Sequence, residues 1–239
     1  MNHLPASLIP PDDAARLRSL HQYRILNTTP EPIFDEYVAL AAQLFNLPIS
    51  LISLVDEQEV YFKANTGLPG VERVARPDSL CSAAILQDEV LAYTNLSEES
   101  CSLISPYVAK SAGLQFYAGA TLRMPDGSNI GSLCVIGREA RAITPEEREL
   151  LTALAGLAGL TIELRRQYLA HNRSADWQVV QQELQQLLTD EAALVRYLTS
   201  RLGTISANVG EYAPMQRRLQ ALRQILQQHL TEFDAPGQA

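Results

Sequence analysis

The sequence predicts an α+β fold built on an antiparallel sheet, and three observations indicate it. Two strand-like runs flank Asp126-Gly127, and an Asp-Gly step between such runs is a strong hairpin signal. A helix, a strand and a second strand precede this hairpin in the chain. A long helix follows it, beginning at Thr144 with Glu147 three residues later, which is the capping-box pattern. A hairpin sheet flanked by helices is typical of a layered α+β domain.

The spacing of apolar residues predicts the elements before the hairpin. Leu17, Leu20 and Tyr23 share one face of a helix at about 13–24,. The same reasoning, with turn residues as boundaries, predicts five further elements: a helix at about 35–46, strands at 48–56 and 60–67, a short helix at 76–87 and a strand at 89–95.

Read with a period of two, the first strand of the hairpin has two different faces. One face is apolar and is assigned to the core: Leu114, Phe116, Ala118, Ala120 and Leu122. The other mixes polar, aromatic and glycine positions: Gln115, Tyr117, Gly119, Thr121 and Arg123. A face of this mixed kind is either solvated or lines a pocket.

The helix over 144–170 carries an apolar stripe wider than one face of a monomer usually needs, which predicts a homodimer through this helix. Beyond about residue 171 the composition becomes rich in Gln, Leu and Glu. Helices at about 175–203 and 211–233 then form either a hairpin or a coiled coil. The predicted organisation is a flexible tail at 1–12, one domain at 13–170 and a helical extension at 171–239.

The composition narrows the class of protein. Its 239 residues, 46% hydrophobic and 19% charged, are typical of a folded soluble protein. A net charge of −8 argues against binding to nucleic acid or to an anionic membrane. The N-terminal residues lack the pattern of a secretory signal, and no apolar run is long enough to span a bilayer. We therefore expect a cytoplasmic protein. Three cysteines, Cys81, Cys101 and Cys134, do not form a disulfide framework or a zinc motif.

With these elements in place, the chain resembles a GAF domain of the bacterial sensory type, which stands ahead of histidine kinase or diguanylate cyclase outputs. The resemblance covers about 13–170. The residues that carry it are 16–68, "RPDSLCSAAI" at 76–85, "GLQFYAGATL" at 113–122, "DGSNIGSLCVIG" at 126–137 and "ITPEERELLTALA" at 143–155. It implies a six-stranded antiparallel sheet with helices on one face and a pocket, roofed by loops and short helices, on the other.

Several positions depart from the pattern of that family. Asn27 replaces the acid of "ILDT", Tyr61 replaces the Trp of "WFKA", and Leu80 replaces the Phe of "SFC". The loop "SEESCSLISPYV" lacks the usual Asp and Arg-Phe pair, and the cyclic-nucleotide signature of phosphodiesterase-type GAF domains is not recognisable. Bilin-binding relatives attach chromophore at a Cys followed by His, whereas Ser82 follows Cys81 here.

The resemblance places the roof of the pocket over 76–113 and its floor on the mixed face of the hairpin. Ten residues are therefore predicted to line it: Tyr61, Leu80, Cys81, Ile85, Cys101, Tyr107, Gln115, Tyr117, Gly119 and Thr121. The sequence does not identify the ligand or any cofactor, and it indicates no metal site.

The function predicted from these features is that of a non-catalytic sensory module. It would bind a small molecule or a partner protein and relay its state through dimeric helices, with the 175–233 helices contacting a further protein. One alternative is a thiol enzyme similar to free-methionine sulfoxide reductases, in which Cys81 and Cys101 are the two cysteines, one supplying the thiolate that attacks the sulfoxide and the other the thiol that resolves the adduct. A second is a structural adaptor whose pocket is filled by its own side chains.

Overall fold

The computed structural model describes residues 6–98, 113–202, 205 and 209–234. Its six strands are β1 (Ile49–Val55), β2 (Glu59–Thr66), β3 (Arg73–Ala75), β4 (Leu91–Tyr93), β5 (Phe116–Arg123) and β6 (Asn129–Gly137). They form one sheet in the order β3-β2-β1-β6-β5-β4, and neighbouring strands are antiparallel throughout. The expected six-stranded antiparallel sheet is confirmed.

The helices of the described residues are α1 (Asp13–Gln22), α2 (Pro32–Leu44), α3 (Leu80–Ala84), α4 (Pro145–Ala170), α5 (Ser174–Leu202) and α6 (Val209–Asp234). The start of α4 has the capping box that its sequence predicts. Thr144 Oγ1 accepts from the Glu147 amide at 3.2 Å, and the Thr144 amide donates to the Glu147 carboxylate at 2.9 Å. These bonds satisfy amide groups that a helix start otherwise leaves unpaired.

The two faces of the sheet are covered differently. Helices α2 and α4 cover one face, where Phe116, Ala118, Ala120 and Leu122 join the main core as predicted. The prediction for Leu114 was wrong, because β5 begins only at Phe116 and Leu114 packs with the residues of the opposite face. That opposite face lies beneath α3, which makes it the floor expected for a pocket.

The N-terminal residues include part of the predicted tail. Residues Ala6–Leu8 form a single 3₁₀ turn, and the Leu8 side chain is fully buried. The Leu8 carbonyl accepts a hydrogen bond of 2.9 Å from Arg76 Nη2. The predicted tail is therefore packed against the domain at Leu8.

Helices α5 and α6 form an additional layer on the helical side. Helix α5 packs mainly on α2, and α6 packs mainly on α4. Glu191, the one polar interruption of the α5 pattern, is buried and accepts from Arg218 Nε of α6 at 2.5 Å. Among the described residues, none of these helices combines the length and apolar character that crossing a membrane requires.

The wide apolar stripe of α4 is explained by this layer. Seven stripe residues are all buried within the chain itself: Leu150, Leu151, Leu154, Leu157, Thr161, Leu164 and Tyr168. One side of α4 packs on β5 and β6, and the other contacts α6. A helix that is covered on two sides needs a wider apolar surface than a helix at the edge of a domain.

Candidate functional site

A second apolar cluster lies between the sheet and α3, on the floor expected for the pocket. Side chains from β1, β2, β5 and β6 meet α3 there. The buried members are Ile49, Leu51, Val55, Val60, Phe62, Cys81, Ile85, Leu96, Tyr117, Cys134 and Ile136. In the described residues, this face is therefore a packed layer of side chains.

Polar atoms of three strands and α3 meet inside this layer. The Tyr117 hydroxyl donates to Cys81 Sγ at 3.6 Å, and Cys81 Sγ lies 3.8 Å from Cys134 Sγ. Beside them, Ser53 Oγ is 3.0 Å from Ser132 Oγ across β1 and β6. All five residues are buried, so each polar group depends on the others for its hydrogen bonds.

The pKa values of the two thiols in this cluster are shifted in opposite directions. The pKa of Cys81 is lowered to about 5, and the hydrogen bond with Cys134 is the largest cause. Further hydrogen bonds with Ser132, Ser53 and Tyr117 act in the same direction, and together they outweigh burial, which alone would raise this pKa. The same bond, together with burial, raises the pKa of Cys134 well above its ordinary value. Cys81 is thus the more acidic thiol, although it is only 2% exposed.

The space at Gly119 is filled by the Tyr117 side chain. A Cβ atom added to Gly119 would lie 2.3 Å from Tyr117 Oη and 2.8 Å from Tyr117 Cζ. Tyr117 is 1% exposed, and its hydroxyl is held by Cys81. Burial is the largest reason that the pKa of Tyr117 is raised well above its ordinary value. Glycine here makes room for a neighbouring side chain of the same strand.

The ten residues predicted to line the pocket do not all lie together. Five of them surround the floor of the second layer: Leu80, Cys81, Ile85, Tyr117 and Gly119. Gln115 lies just before β5, where its carbonyl accepts from the Leu96 amide at 2.7 Å. Thr121 lies further along β5, in a groove beside α4. Cys101 and Tyr107 fall outside the described residues.

Tyr61 is placed on the other side of the sheet from this cluster. Its ring packs against the main core, and its hydroxyl donates to the Thr28 carbonyl at 3.3 Å. Tyr61 pairs with Leu54 of β1, which also belongs to the main core, while its neighbours Val60 and Phe62 point into the layer beneath α3, as the alternation of a strand requires. The expectation that Tyr61 and Cys81 line one pocket was therefore wrong.

Arg76 fixes the start of the roof helix and was not singled out by sequence reasoning. Its side chain is fully buried and donates to both Asp13 carboxylate oxygens at 3.1 Å. Its carbonyl accepts from Ser82 Oγ of α3 at 2.7 Å. The roof is therefore tied to α1, and a buried arginine of this kind needs its carboxylate partner.

The comparisons with known proteins agree with this architecture. The family model described as "GAF domain" matches residues 29–162, more than half of the chain. The chain belongs to the GAF domain family. Its sheet, its flanking helices and the layer beneath α3 are accordingly those of a GAF domain.

One curated relative and two solved structures are similar to the GAF domain of this chain. A cyclic di-GMP phosphodiesterase from Pseudomonas aeruginosa is 37% identical over 132 residues, which are 55% of this chain and 22% of that protein. A domain of a two-component sensor histidine kinase protein from Sinorhizobium meliloti superposes with a TM-score of 0.51 at 18% identity, covering 61% of this chain and 99% of the other. The PixJ GAF domain from Thermosynechococcus elongatus, in its blue-light absorbing form, has a TM-score of 0.49 at 16% identity and coverages of 67% and 94%.

The GAF domain meets its C-terminal helices at Glu31, another residue that the sequence pattern did not indicate. Glu31 Oε2 is 2.8 Å from Lys63 Nζ of β2, and both its oxygens are 2.9 Å from Arg165 Nε of α4. Trp177 of α5 donates its indole N–H to Glu31 Oε1 at 3.2 Å. One carboxylate thus joins a loop, the sheet, α4 and the extension; we call these four residues the Glu31 cluster.

The charges of the Glu31 cluster are largely removed from water. The Lys63 side chain is 0% exposed, that of Arg165 is 7% exposed and that of Glu31 is 14% exposed. Burial by itself would raise the pKa of Glu31, but the hydrogen bonds and charges of Lys63 and Arg165 outweigh it and lower that pKa. Burial is also the largest reason that the pKa of Lys63 is lowered. Glu31 is therefore the carboxylate that both cations share; their other acceptors are neutral, the Thr28 hydroxyl and Thr29 carbonyl for Lys63 and the Tyr23 and Arg24 carbonyls for Arg165.

Proposed function

We propose that the chain is a non-catalytic sensory module in which the GAF domain controls whether α6 stays docked on α4. The observation that carries this proposal is the coverage of α4 by its own chain. Glu149 accepts from the Tyr212 hydroxyl and, at 3.2 Å, from Gln216 Nε2 of α6. One to two turns further along, Ala153 and Leu157 line the same contact with Leu219.

The homodimer expected through 144–170 and the docked α6 compete for the same surface of α4. Because α6 occupies that surface, a dimer through α4 needs α6 to leave, and the two arrangements exclude each other. A signal can shift this balance only through unequal affinity for the two arrangements. The released α5 and α6 would then be free to contact a partner protein, as the sequence predicts.

The Glu31 cluster supplies a physical link for such a relay. It connects β2, on the sheet that floors the second layer, to α5 through Lys63, Glu31 and Trp177. The relative from Pseudomonas aeruginosa is named for cyclic di-GMP hydrolysis, which supports a place for this chain in bacterial signalling. A cytoplasmic location belongs to the same proposal.

The test is to undock α6 and to measure the molar mass by light scattering. Leu219 is 2% exposed, so Leu219→Glu places a charge in the contact between α4 and α6, which costs several kcal/mol unless the helices separate. We expect this variant to double its mass, because the exposed surface of α4 becomes available to a second copy. Circular dichroism reports whether the domain remains folded.

Gln224→Glu is the matched control, since it adds the same charge at an exposed position of α6. It should keep the mass of the unmodified chain. A folded Leu219→Glu variant with unchanged mass would contradict the exchange of partners on α4. An unmodified chain that is already dimeric, and whose mass neither substitution changes, would also contradict this exchange.

A structural adaptor with a filled pocket is the second candidate function. The observation that favours it is the Tyr117 side chain over Gly119, which takes up the room that a ligand would need on the floor. Under this alternative the signal enters through a protein contact. The experiment at Gly119 described in the Discussion separates the filled layer from an open pocket.

The reductase alternative depends on a thiol that the structure does not describe. It requires Cys101 beside Cys81, whereas the thiol in contact with Cys81 in the described residues is Cys134. The lowered pKa of Cys81 is a property that nucleophilic cysteines share.

Among the described residues, no group of three or more His, Cys, Asp or Glu side chains is placed to hold a metal ion.

A further inference from the structure

A groove runs between the GAF domain and α6, away from the layer beneath α3. It is open to solvent on one side, has a volume of about 360 Å³ and is bounded by the end of β5, by α4 and by Arg223 of α6. The last residue of β5 that pairs with β4 is Gly119, so the edge of the strand from Thr121 to Arg123 faces this groove. Cavities of this size are at the lower end of those that hold small organic ligands.

Gly156 of α4 leaves room for Arg223 in the groove. Gly156 and Gly159 both line it, and a Cβ atom added to Gly156 would lie 3.2 Å from Arg223 Nη1. Apart from proline, glycine is the least favourable residue inside a helix. Gly156 therefore keeps a space open in front of the Arg223 guanidinium group, whereas Gly159 lies beside the Arg123 carbonyl.

The charges around the groove leave Arg223 uncompensated. Three acids that line this region already have partners: Asp88 with Arg123 and Asn129, Glu163 with Arg166 and Gln167, and Glu149 with Tyr212 and Gln216. Arg223 is partly buried, and within the described residues it has no hydrogen-bond or ion-pair partner. An arginine cannot lose its charge, so a partly buried one favours an anionic partner.

We propose that this groove binds a small organic oxyanion, a carboxylate or phosphate group of a metabolite, with Arg223 as its principal contact. The planar fork of five N–H donors matches such groups. The hydroxyl group of Thr121, which lines the groove, is placed to donate a further hydrogen bond, whereas the Thr152 hydroxyl already donates to the Arg148 carbonyl at 2.8 Å. A ligand held between α4 and α6 stabilises the docked arrangement; that consequence rests on the proposed function, whereas the binding does not.

The test measures thermal stability against the concentration of pyrophosphate and, separately, of citrate, on the full chain with ionic strength held constant by sodium chloride. We expect a saturable rise in Tm with at least one probe, and the better probe decides between phosphate and carboxylate. Charge-assisted hydrogen bonds are strong enough that Arg223→Gln should weaken the apparent affinity by about tenfold or more. Arg196→Gln is the matched control, because it removes the same charge at an exposed position of α5 and should keep the full response.

Gly156→Ala separates loss of binding from loss of folding. The added methyl group pushes against the Arg223 guanidinium, while alanine favours the helix, so the affinity should fall without a fall in the Tm of the free protein. Absence of a saturable response to both probes, or an equal response in the chain and in Arg223→Gln, would overturn the site. Neither result would affect the light-scattering test of α6 release, so the two proposals fail separately.

Discussion

Replacing Glu31 with glutamine is expected to lower the free energy of unfolding by on the order of 3 kcal/mol, because removal of one partner leaves buried charges unpaired. The side chains of Lys63 and Arg165 are 0% and 7% exposed. A neutral amide would offer them one acceptor oxygen and would direct its own N–H donors toward theirs. The loss falls at the point where the domain and α5 meet, so α5 should be released as well.

Trp177 makes this release measurable, since it is the single tryptophan of the chain. Its side chain is 4% exposed, and its indole donates to Glu31. In Glu31→Gln the fluorescence maximum should move to longer wavelength, and quenching by acrylamide should increase under conditions in which circular dichroism still shows a folded protein. A denaturant titration of the same sample gives the change in stability.

Glu36→Gln is the control for this experiment, because it removes the same charge from a neighbouring position on α2. No hydrogen bond or ion pair involves Glu36 in the described part of the chain. Its fluorescence and stability should match those of the unmodified protein. Equal behaviour of Glu31→Gln and Glu36→Gln would contradict a role for the Glu31 cluster in holding α5.

Acid should produce the same release in the unmodified chain. The pKa of Glu31 in the folded state lies below its ordinary value of 4.5, so its contribution to stability is present above pH 4.5 and is lost as the pH falls through the folded value. The Trp177 emission should therefore shift on acidification below pH 4.5. Asp13 also has a lowered pKa, through its hydrogen bonds with Arg76 and Arg16 against the effect of burial. Comparing the acid response of the unmodified chain with that of Glu31→Gln separates the titration of Glu31 from that of Asp13.

The second large effect is expected at Gly119, where alanine should cost about 3 kcal/mol as overpacking of a filled core. The new methyl group would lie 2.3 Å from Tyr117 Oη, so the ring, which is 1% exposed, would have to move within a packed layer. The same change in an open pocket would displace a ligand and leave the fold intact. Chemical denaturation of the two proteins distinguishes these outcomes.

Tyr117→Leu provides the matching background for this test. If the Tyr117 ring is the obstacle, Gly119→Ala should cost much less in the Tyr117→Leu protein, and the difference is the coupling between the two positions. An unchanged cost would mean that the strain arises elsewhere. A Gly119→Ala chain as stable as the original would show that the layer beneath α3 is open, and the adaptor alternative would lose its main support.

Local patterns account for the parts of the fold that the sequence predicted. The Asp126-Gly127 hairpin and the Thr144 capping box each depend on residues a few positions apart, so the chain itself contains the complete signal. Strand β3, by contrast, has three residues and no periodicity, and only the resemblance to GAF domains required a sixth strand. Leu114 lies on the opposite face from the one predicted because β5 begins two residues later, at Phe116. The ends of a strand are poorly specified by the local sequence.

The interactions of the site were hidden because they join distant parts of the chain. Cys81 and Cys134 are 53 positions apart, and Glu31 and Arg165 are 134 positions apart. Neither pair has a spacing rule that links its members. The one available signal was Lys63, a charged residue inside an apolar strand, because a buried lysine requires a carboxylate partner. The wide stripe of α4 is buried within the chain, and the dimer through this helix stays a prediction.

Hydrogen–deuterium exchange of the full chain measures whether α5 and α6 are docked on the GAF domain. Most of the stability of a helix in a protein comes from tertiary packing, so the amides of an undocked helix exchange faster than those of a docked one. We predict that the amides of Ser174–Leu202 and Val209–Asp234 exchange as slowly as those of β1 and β6. Rapid exchange across both helices, with the sheet still protected, would contradict the docked arrangement and the relay that depends on it.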